Sequence, residues 1–201
     1  MKNVKDNDNV SNFYHVYNRG VDKQPIFKDD LDRVRFIKNL IFFKSREDAS
    51  LEILAYCLMD NHYHFLIEEK VDKAVARLMH RIGIGYTLYF NKKYKRSGCI
   101  FESGYKCKLI SSDGYLFHIF RYIHLNPLKL FNSTWKNGVS DIEKAIIFVR
   151  SYKWSNLKDV FKSNSFVNHN LLESEFRDFT DYQRFLEDWI RFGVPKLNSL
   201  I

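Results

Sequence analysis

The 201-residue chain reads as an α+β fold in which helices pack on one face of an antiparallel sheet. Three observations predict it. Two apolar, β-rich runs, Leu51–Met59 and His62–Glu68, are separated only by Asp60-Asn61, a hairpin spacing that makes them an antiparallel pair. Longer segments with apolar residues at three- and four-residue intervals, the signature of amphipathic helices, alternate with the β-rich runs. The resulting order, strand, helix, strand-turn-strand, helix, strand, helix, is that of a ferredoxin-like arrangement.

In chain order, Phe13-Tyr14-His15-Val16-Tyr17 forms the first strand and stops at the turn signal Asn18-Arg19-Gly20. After Pro25, Asp29-Asp30 open a helix whose apolar face is Leu31, Val34, Phe36-Ile37 and Leu40-Ile41. Acidic residues at its start, and Lys44 and Arg46 at its end, suit the helix dipole. In the hairpin turn, Asp60 and Asn61 both tolerate positive φ. Val71 to Asn91 is helical by pattern, weakened by Gly83 and Gly85. A basic loop follows. Cys99–Glu102 and Tyr105–Ile110 then read as strand, with Gly104 a candidate bulge. Ser111-Ser112-Asp113 caps a helix from Gly114 to about Leu125, and Pro127 disfavours α geometry at Asn126. Asp141–Arg150 and Glu173–Phe192 read as further amphipathic helices.

Composition narrows the function. Lys and Arg number 32 against 24 acidic residues, a net charge of +8. Such a surplus points to a polyanionic partner, nucleic acid first, with a merely solvated basic surface as the alternative. Three cysteines, an odd count with no CxxC pair, argue against a disulfide framework and for a reducing, cytoplasmic setting. The polar start lacks an apolar signal region, and no apolar run approaches the roughly 20 residues of a membrane helix. The expectation is a soluble protein with no membrane partner.

The residues that could carry chemistry lie in two places. On a strand, His62 and His64 share one face with Leu66, while Tyr63, Phe65 and Ile67 point to the other. Two imidazoles side by side suit a divalent metal, although His-x-His by itself also occurs as a structural pair. On the helix that ends at Pro127, His118, Tyr122 and Asn126 fall on one stripe at i, i+4 and i+8. Each has an ordinary reading, a boundary Tyr or a helix-stop Asn. Together they suit phosphodiester chemistry. A phenol, with a pKa of about 10, is a poor nucleophile unless its target is polarised. An ion held by two imidazoles and an amide would do that and leave positions open for substrate oxygens. Tyrosine attack would store the broken bond as a phosphotyrosine.

The stretch Leu58-Met59-Asp60-Asn61-His62-Tyr63-His64-Phe65-Leu66 resembles the His-hydrophobic-His motif of the single-tyrosine HUH transposases, insertion-sequence type, and more narrowly their REP-associated tyrosine transposase branch. Four further stretches are similar to the family in the same order: Tyr14–Gly20, Tyr86–Tyr94, Gly98–Lys108 and Arg121–Leu128. The resemblance spans about residues 11–155. It implies a DNA transposase that cleaves and rejoins single-stranded or hairpin DNA through a 5′-phosphotyrosine, with Tyr122 as nucleophile, His62 and His64 as ligands of Mg²⁺ or Mn²⁺, and Asn126 as the amide ligand. Asn126 stands where many insertion-sequence members carry Gln, and Asp60 where the motif often carries Pro. His118 and His124 receive no role from the resemblance and read as core, capping or surface residues.

The candidate DNA contacts are Arg19, Lys92, Lys93, Lys95, Arg96, Lys106 and Arg121, through phosphate attraction, and Tyr94, through base stacking. The expected organisation is a flexible segment 1–10, a single-tyrosine transposase domain 11–155, and a helical extension 156–201 that docks on DNA, on the core or on a second subunit. Monomer and homodimer both remain open, since related enzymes can take their tyrosine from the same or a neighbouring subunit. A second function, a domesticated hairpin-binding protein without catalysis, fits the same residues. So does a third, a structural metal site in an unrelated α+β protein.

Overall fold

In the computed structural model, which describes residues 11–162 and 165–195, four strands form one antiparallel sheet in the order β2-β3-β1-β4. The strands are β1 (Asn12–Arg19), β2 (Leu51–Met59), β3 (His62–Glu69) and β4 (Lys106–Ile110). With α1 (Asp30–Lys44) between β1 and β2, and α2 (Ala74–Lys93) between β3 and β4, this is the ferredoxin-like topology expected. The expected flexible segment 1–10 lies outside the described residues.

The pleat sorts the sheet into two faces. Val16, Tyr63, Phe65 and Ile67 pack with Phe36 and Leu40 of α1 and with Leu78, Ile82, Tyr86 and Phe90 of α2. On the opposite face Leu54, Cys57 and Leu66 meet Leu116, Phe120 and Ile123 of α3 (Asp113–Leu125). Helices were expected on one face only, yet they occupy both. β2 and β3 explain this, because they are apolar on both sides, with Leu51 to Met59 buried at all but one position. A strand of that kind needs a cover on each face.

The helices beyond α3 complete that second cover. They are α4 (Leu128–Phe131), α5 (Ile142–Ser151), α6 (Asn170–Glu175) and α7 (Phe179–Phe192), and Val149, Leu172, Tyr182, Leu186 and Trp189 join the same core as α3. The helix expected over 173–192 is in fact two. Asp178 accepts from the Asp181 N–H, and this cap starts a new helix after the break at Phe176. Asn126 keeps αR geometry, and Pro127 tips the chain into the short α4. The stretch Cys99–Glu102 is not a strand. Its ladder pairing is a single bridge, Phe101 to Gly20.

The hairpin turn that precedes His62 does not use positive φ. Instead the segment 20–27 clamps it. The N–H groups of Ile26 and Phe27 both donate to the Asp60 carbonyl, Gly20 N–H donates to the Asn61 carbonyl, and Arg33 pairs with the Asp60 carboxylate. The position of His62 is therefore fixed from outside the hairpin as well as within it.

Candidate active site

β3 begins at the turn, so His62 and His64 are its first and third residues and share the face that α3 crosses. Tyr122 and Asn126, one turn apart on α3, are both turned toward them. The Tyr122 ring lies edge-on to His64 with centroids 5.4 Å apart, and Asn126 Oδ1 is 3.1 Å from His62 Nε2. The Asn126 side chain also lies near enough to the Tyr122 phenol to favour its ionised form. One amide thus stands beside both the phenol and the histidine.

Both histidines are held neutral. Burial pushes the His62 pKa down, and burial together with the neighbouring His15 and His62 pushes His64 well below its ordinary value. Neutral imidazole is the form that binds metal. Among the described residues no cluster of three or more His, Cys, Asp or Glu side chains could hold an ion; the donor set here is two imidazoles and an amide.

That set fits a divalent cation. His62 Nδ1 lies 2.7 Å from Asn61 Oδ1 and, bonded to an acceptor oxygen, must carry the ring proton. The neutral ring therefore turns its Nε2 lone pair toward Asn126 Oδ1, a second acceptor. A proton or a cation between them relieves that opposition.

Tyr122 is nearly buried. Desolvation outweighs the Asn126 hydrogen bond and pushes its phenol up to about 12. The Lys136 ammonium lies 5.2 Å from the centre of its ring. Two clefts meet at Tyr122 and His62. One, of about 410 Å³, is also lined by Arg19, Lys23, Lys106 and Lys129; the other, of about 320 Å³, by Asn126, Thr134, Trp135 and Lys136. The charged residues lining the two clefts are therefore mainly cations, with Glu102 in the first the one carboxylate among them.

The other candidate contacts separate into groups. Arg19 and Lys106 line the first cleft, with Arg19 Nη2 bonded to Glu102 at 2.7 Å. Lys92, Lys95 and Arg96 are exposed around the basic loop, where Arg96 bonds the Cys99 carbonyl. Lys93 is held by Asp29 and Asp32, and the Tyr94 hydroxyl donates to Asp32, so both are bound to the start of α1. Arg121 does not face solvent. It is buried under α7, its guanidinium 3.4 Å from the Phe185 ring centre, so the expectation of a DNA contact there is corrected. The period of α3 explains why, since Arg121 precedes Tyr122 by one residue and points about 100° away from it. His118 stacks on Trp189, and His124 is a core residue bonded to Tyr182 and Asn156.

Sequence reasoning missed His15, Asn61, Lys23, Lys129 and Lys136. For Lys129 a signal existed, since it follows Asn126 by three residues. For His15 none did, because its approach to His64 depends on which strand pairs with β3.

No curated protein matches the chain. Among solved structures, a REP-associated tyrosine transposase bound to a REP hairpin is similar at 13% identity and a TM-score of 0.48, over 78% of this chain and 82% of that one. A transposase candidate from Deinococcus radiodurans R1 is similar at 17% identity and a TM-score of 0.43, over 61% of this chain and 95% of that one. A family model described as "Transposase IS200 like" matches residues 10–126, more than half of the chain. The match includes His62, His64, Tyr122 and Asn126, and on it the chain belongs to the IS200-like transposase family.

Proposed function

We propose that this protein cleaves and rejoins single-stranded or hairpin DNA by forming a covalent bond between Tyr122 and a 5′-phosphate. The observation that carries the reading is the convergence of Asn126, 3.1 Å from His62 Nε2, and the Tyr122 ring, 5.4 Å from that of His64, on one face of the sheet. A phenol placed beside two neutral imidazoles, at the junction of two cationic clefts, suits attack on a phosphodiester.

The Tyr122 oxygen forms a new bond to phosphorus as the bond to the 3′-oxygen breaks, leaving a phosphotyrosine and a free 3′-OH. The phenol proton leaves to solvent, and the departing 3′-oxygen takes one up. Attack by a 3′-OH on the phosphotyrosine reverses the step and joins the strand. Asn126 steadies the phenolate, and Lys136 adds positive charge beside the ring. Lys23, Lys106, Lys129 and Arg19 hold the strand through its phosphates. A divalent cation, Mg²⁺ or Mn²⁺, held by His62, His64 and Asn126 would polarise the phosphodiester as a Lewis acid. In this reading residues 11–155 form the catalytic unit, and 156–201 an extension whose described residues support α3 from behind.

The test is incubation with a panel of structured single-stranded DNAs and Mn²⁺, scored for a covalent protein–DNA adduct. An adduct formed by the wild type and lost in Tyr122→Phe is the expected result. An adduct that persists in Tyr122→Phe rejects the mechanism. Hairpin binding without any adduct, unchanged by chelator, favours the non-catalytic binder instead.

A further inference from the structure

The chemistry proposed above gives no task to His15, although it touches the site. His15 lies on β1 with no exposed surface, and its Nε2 is 2.9 Å from His64 Nδ1. The two rings are stacked at 24° with centroids 5.1 Å apart. Tyr17 stacks on His15 at 4.9 Å, and the edge of Tyr122 approaches it at 6.0 Å, so the ring is held by aromatic neighbours. Its other nitrogen, Nδ1, is buried with no hydrogen-bond partner among the described residues.

Two neutral imidazole nitrogens this close share one proton, and where it sits decides what His64 can do. With the proton on His15 Nε2, His64 Nδ1 accepts it, and His64 must carry its own proton on Nε2. That nitrogen then has no lone pair for a metal. With the proton on His64 Nδ1, His15 Nε2 accepts it and His64 Nε2 is free to ligate. The second arrangement leaves a proton on the partnerless His15 Nδ1. A buried orphan N–H is rarer and costlier than a buried bare acceptor. The metal-free pair therefore favours the first arrangement, and ligation by His64 moves it to the second.

We propose that His15 is a positioning residue for the metal: it accepts the Nδ1 proton of His64 and so presents His64 Nε2 as a ligand. This inference rests on His64 being a metal ligand. A ligating histidine usually donates its other ring N–H to a carboxylate, a carbonyl or water; here a second histidine, brought by strand pairing, takes that place. Because the acceptor is itself a two-tautomer ring, metal binding shifts protons on both histidines together.

The experiment combines Mn²⁺ titration of the DNA-free protein by calorimetry with ¹⁵N NMR of the His64 ring with and without diamagnetic Mg²⁺. Replacing His15 by Phe keeps an aromatic ring but removes the acceptor, and should weaken Mn²⁺ binding about 10- to 100-fold. His15→Gln, whose side-chain oxygen can accept the same proton, should recover most of that loss. In the wild type, Mg²⁺ should convert His64 from the Nε2–H to the Nδ1–H tautomer, a signature that a packing role alone would not produce. The inference is overturned if His15→Phe binds Mn²⁺ within about twofold of wild type, or if His64 keeps its Nε2 proton at saturating Mg²⁺. Should His15→Phe fail to fold, the wild-type NMR result decides alone. His64→Ala is the control for the underlying reading. Unchanged Mn²⁺ affinity in that variant rejects His64 as a ligand and the inference with it, whereas loss there with wild-type affinity in His15→Phe rejects only the role of His15.

Discussion

Asn126 Oδ1 stands 3.1 Å from His62 Nε2, and the same side chain favours the ionised form of the Tyr122 phenol. Substitution can separate the two roles. Asn126→Asp keeps an oxygen for the cation and adds a charge, but it loses the N–H that favours the phenolate. Mn²⁺ affinity should rise in Asn126→Asp while the rate of adduct formation falls. In Asn126→Ala both should fall, the affinity by about 10- to 100-fold, as for loss of a ligand or its support. Calorimetry and a gel assay for the adduct read the two effects separately. Parallel changes in Asn126→Asp would show that the amide does not act on the two groups separately.

The phenol predicts a pH dependence. Burial pushes Tyr122 up to about 12, so at neutral pH the protonated form dominates and each unit of pH raises the phenolate about tenfold. Adduct formation at saturating DNA and metal should therefore climb through pH 6–9 without levelling. A bound cation can lower the point of levelling and a bound phosphate can raise it, but neither reverses the sign. A rate that is flat or falls over this range would mean that phenol ionisation does not limit the chemistry.

Stability should respond to acid in a way set by the buried histidines. Burial lowers His15 and His124 to about 3, below their value of about 6.5 in the unfolded chain. Between those values the unfolded chain binds protons that the native state does not, so stability rises with pH across the window. It is fully present above about pH 6.5 and drains away as pH falls toward 3. At pH 5 each of these histidines should cost about 2 kcal/mol relative to pH 7. Urea melts at the two pH values measure the loss, and equal midpoints would show that the histidines are not buried as neutral rings.

These groups also show where the sequence is informative. His62 and His64 could be assigned to one face because strand period is local, and Tyr122 and Asn126 to one stripe because helix period is local. The contact of His15 with His64 depends on β1 lying beside β3, a pairing set by the whole sheet order. Arg121 reads as a surface cation until α7 is known to cover it, and Lys93 and Tyr94 read as a basic loop until α1 is known to present Asp29 and Asp32 to them. Local periodicity therefore revealed the elements and half of the site. Partners distant in sequence decided the rest.

The cations make a prediction of their own. Lys129 lines both clefts and Lys106 one, whereas Arg121 faces the core. Lys129→Ala and Lys106→Ala should each weaken single-stranded DNA binding and reduce the salt slope by about 0.7 for every phosphate no longer neutralised. Arg121→Met keeps the packing against Phe185 and Trp189 and should leave both quantities unchanged. Fluorescence anisotropy across a salt series measures them. A reduced slope in Arg121→Met would mean that α7 moves aside to expose it.

The proposed boundary at residue 155 faces a physical difficulty that can be tested. His124, in the middle of the face that α3 buries, bonds Tyr182 at 2.7 Å through Nδ1 and Asn156 at 3.1 Å through Nε2. Asn156 Oδ1 also accepts the Tyr56 N–H from β2, so residues beyond 155 satisfy polar groups in the sheet and in α3 alike. Tyr182→Phe leaves one buried nitrogen without its donor and should cost about 1–3 kcal/mol, with Mn²⁺ affinity retained. Truncation after residue 155 removes both partners of His124 and uncovers Phe120 and Ile123, which lie in the core shared with Tyr182, Leu186 and Trp189. The shortened chain should therefore lose its cooperative thermal transition. A truncated protein that melts cooperatively and forms the Tyr122 adduct would show that the extension is a separable module. An unfolded one would show that the sheet alone does not hold in place the helix that carries Tyr122.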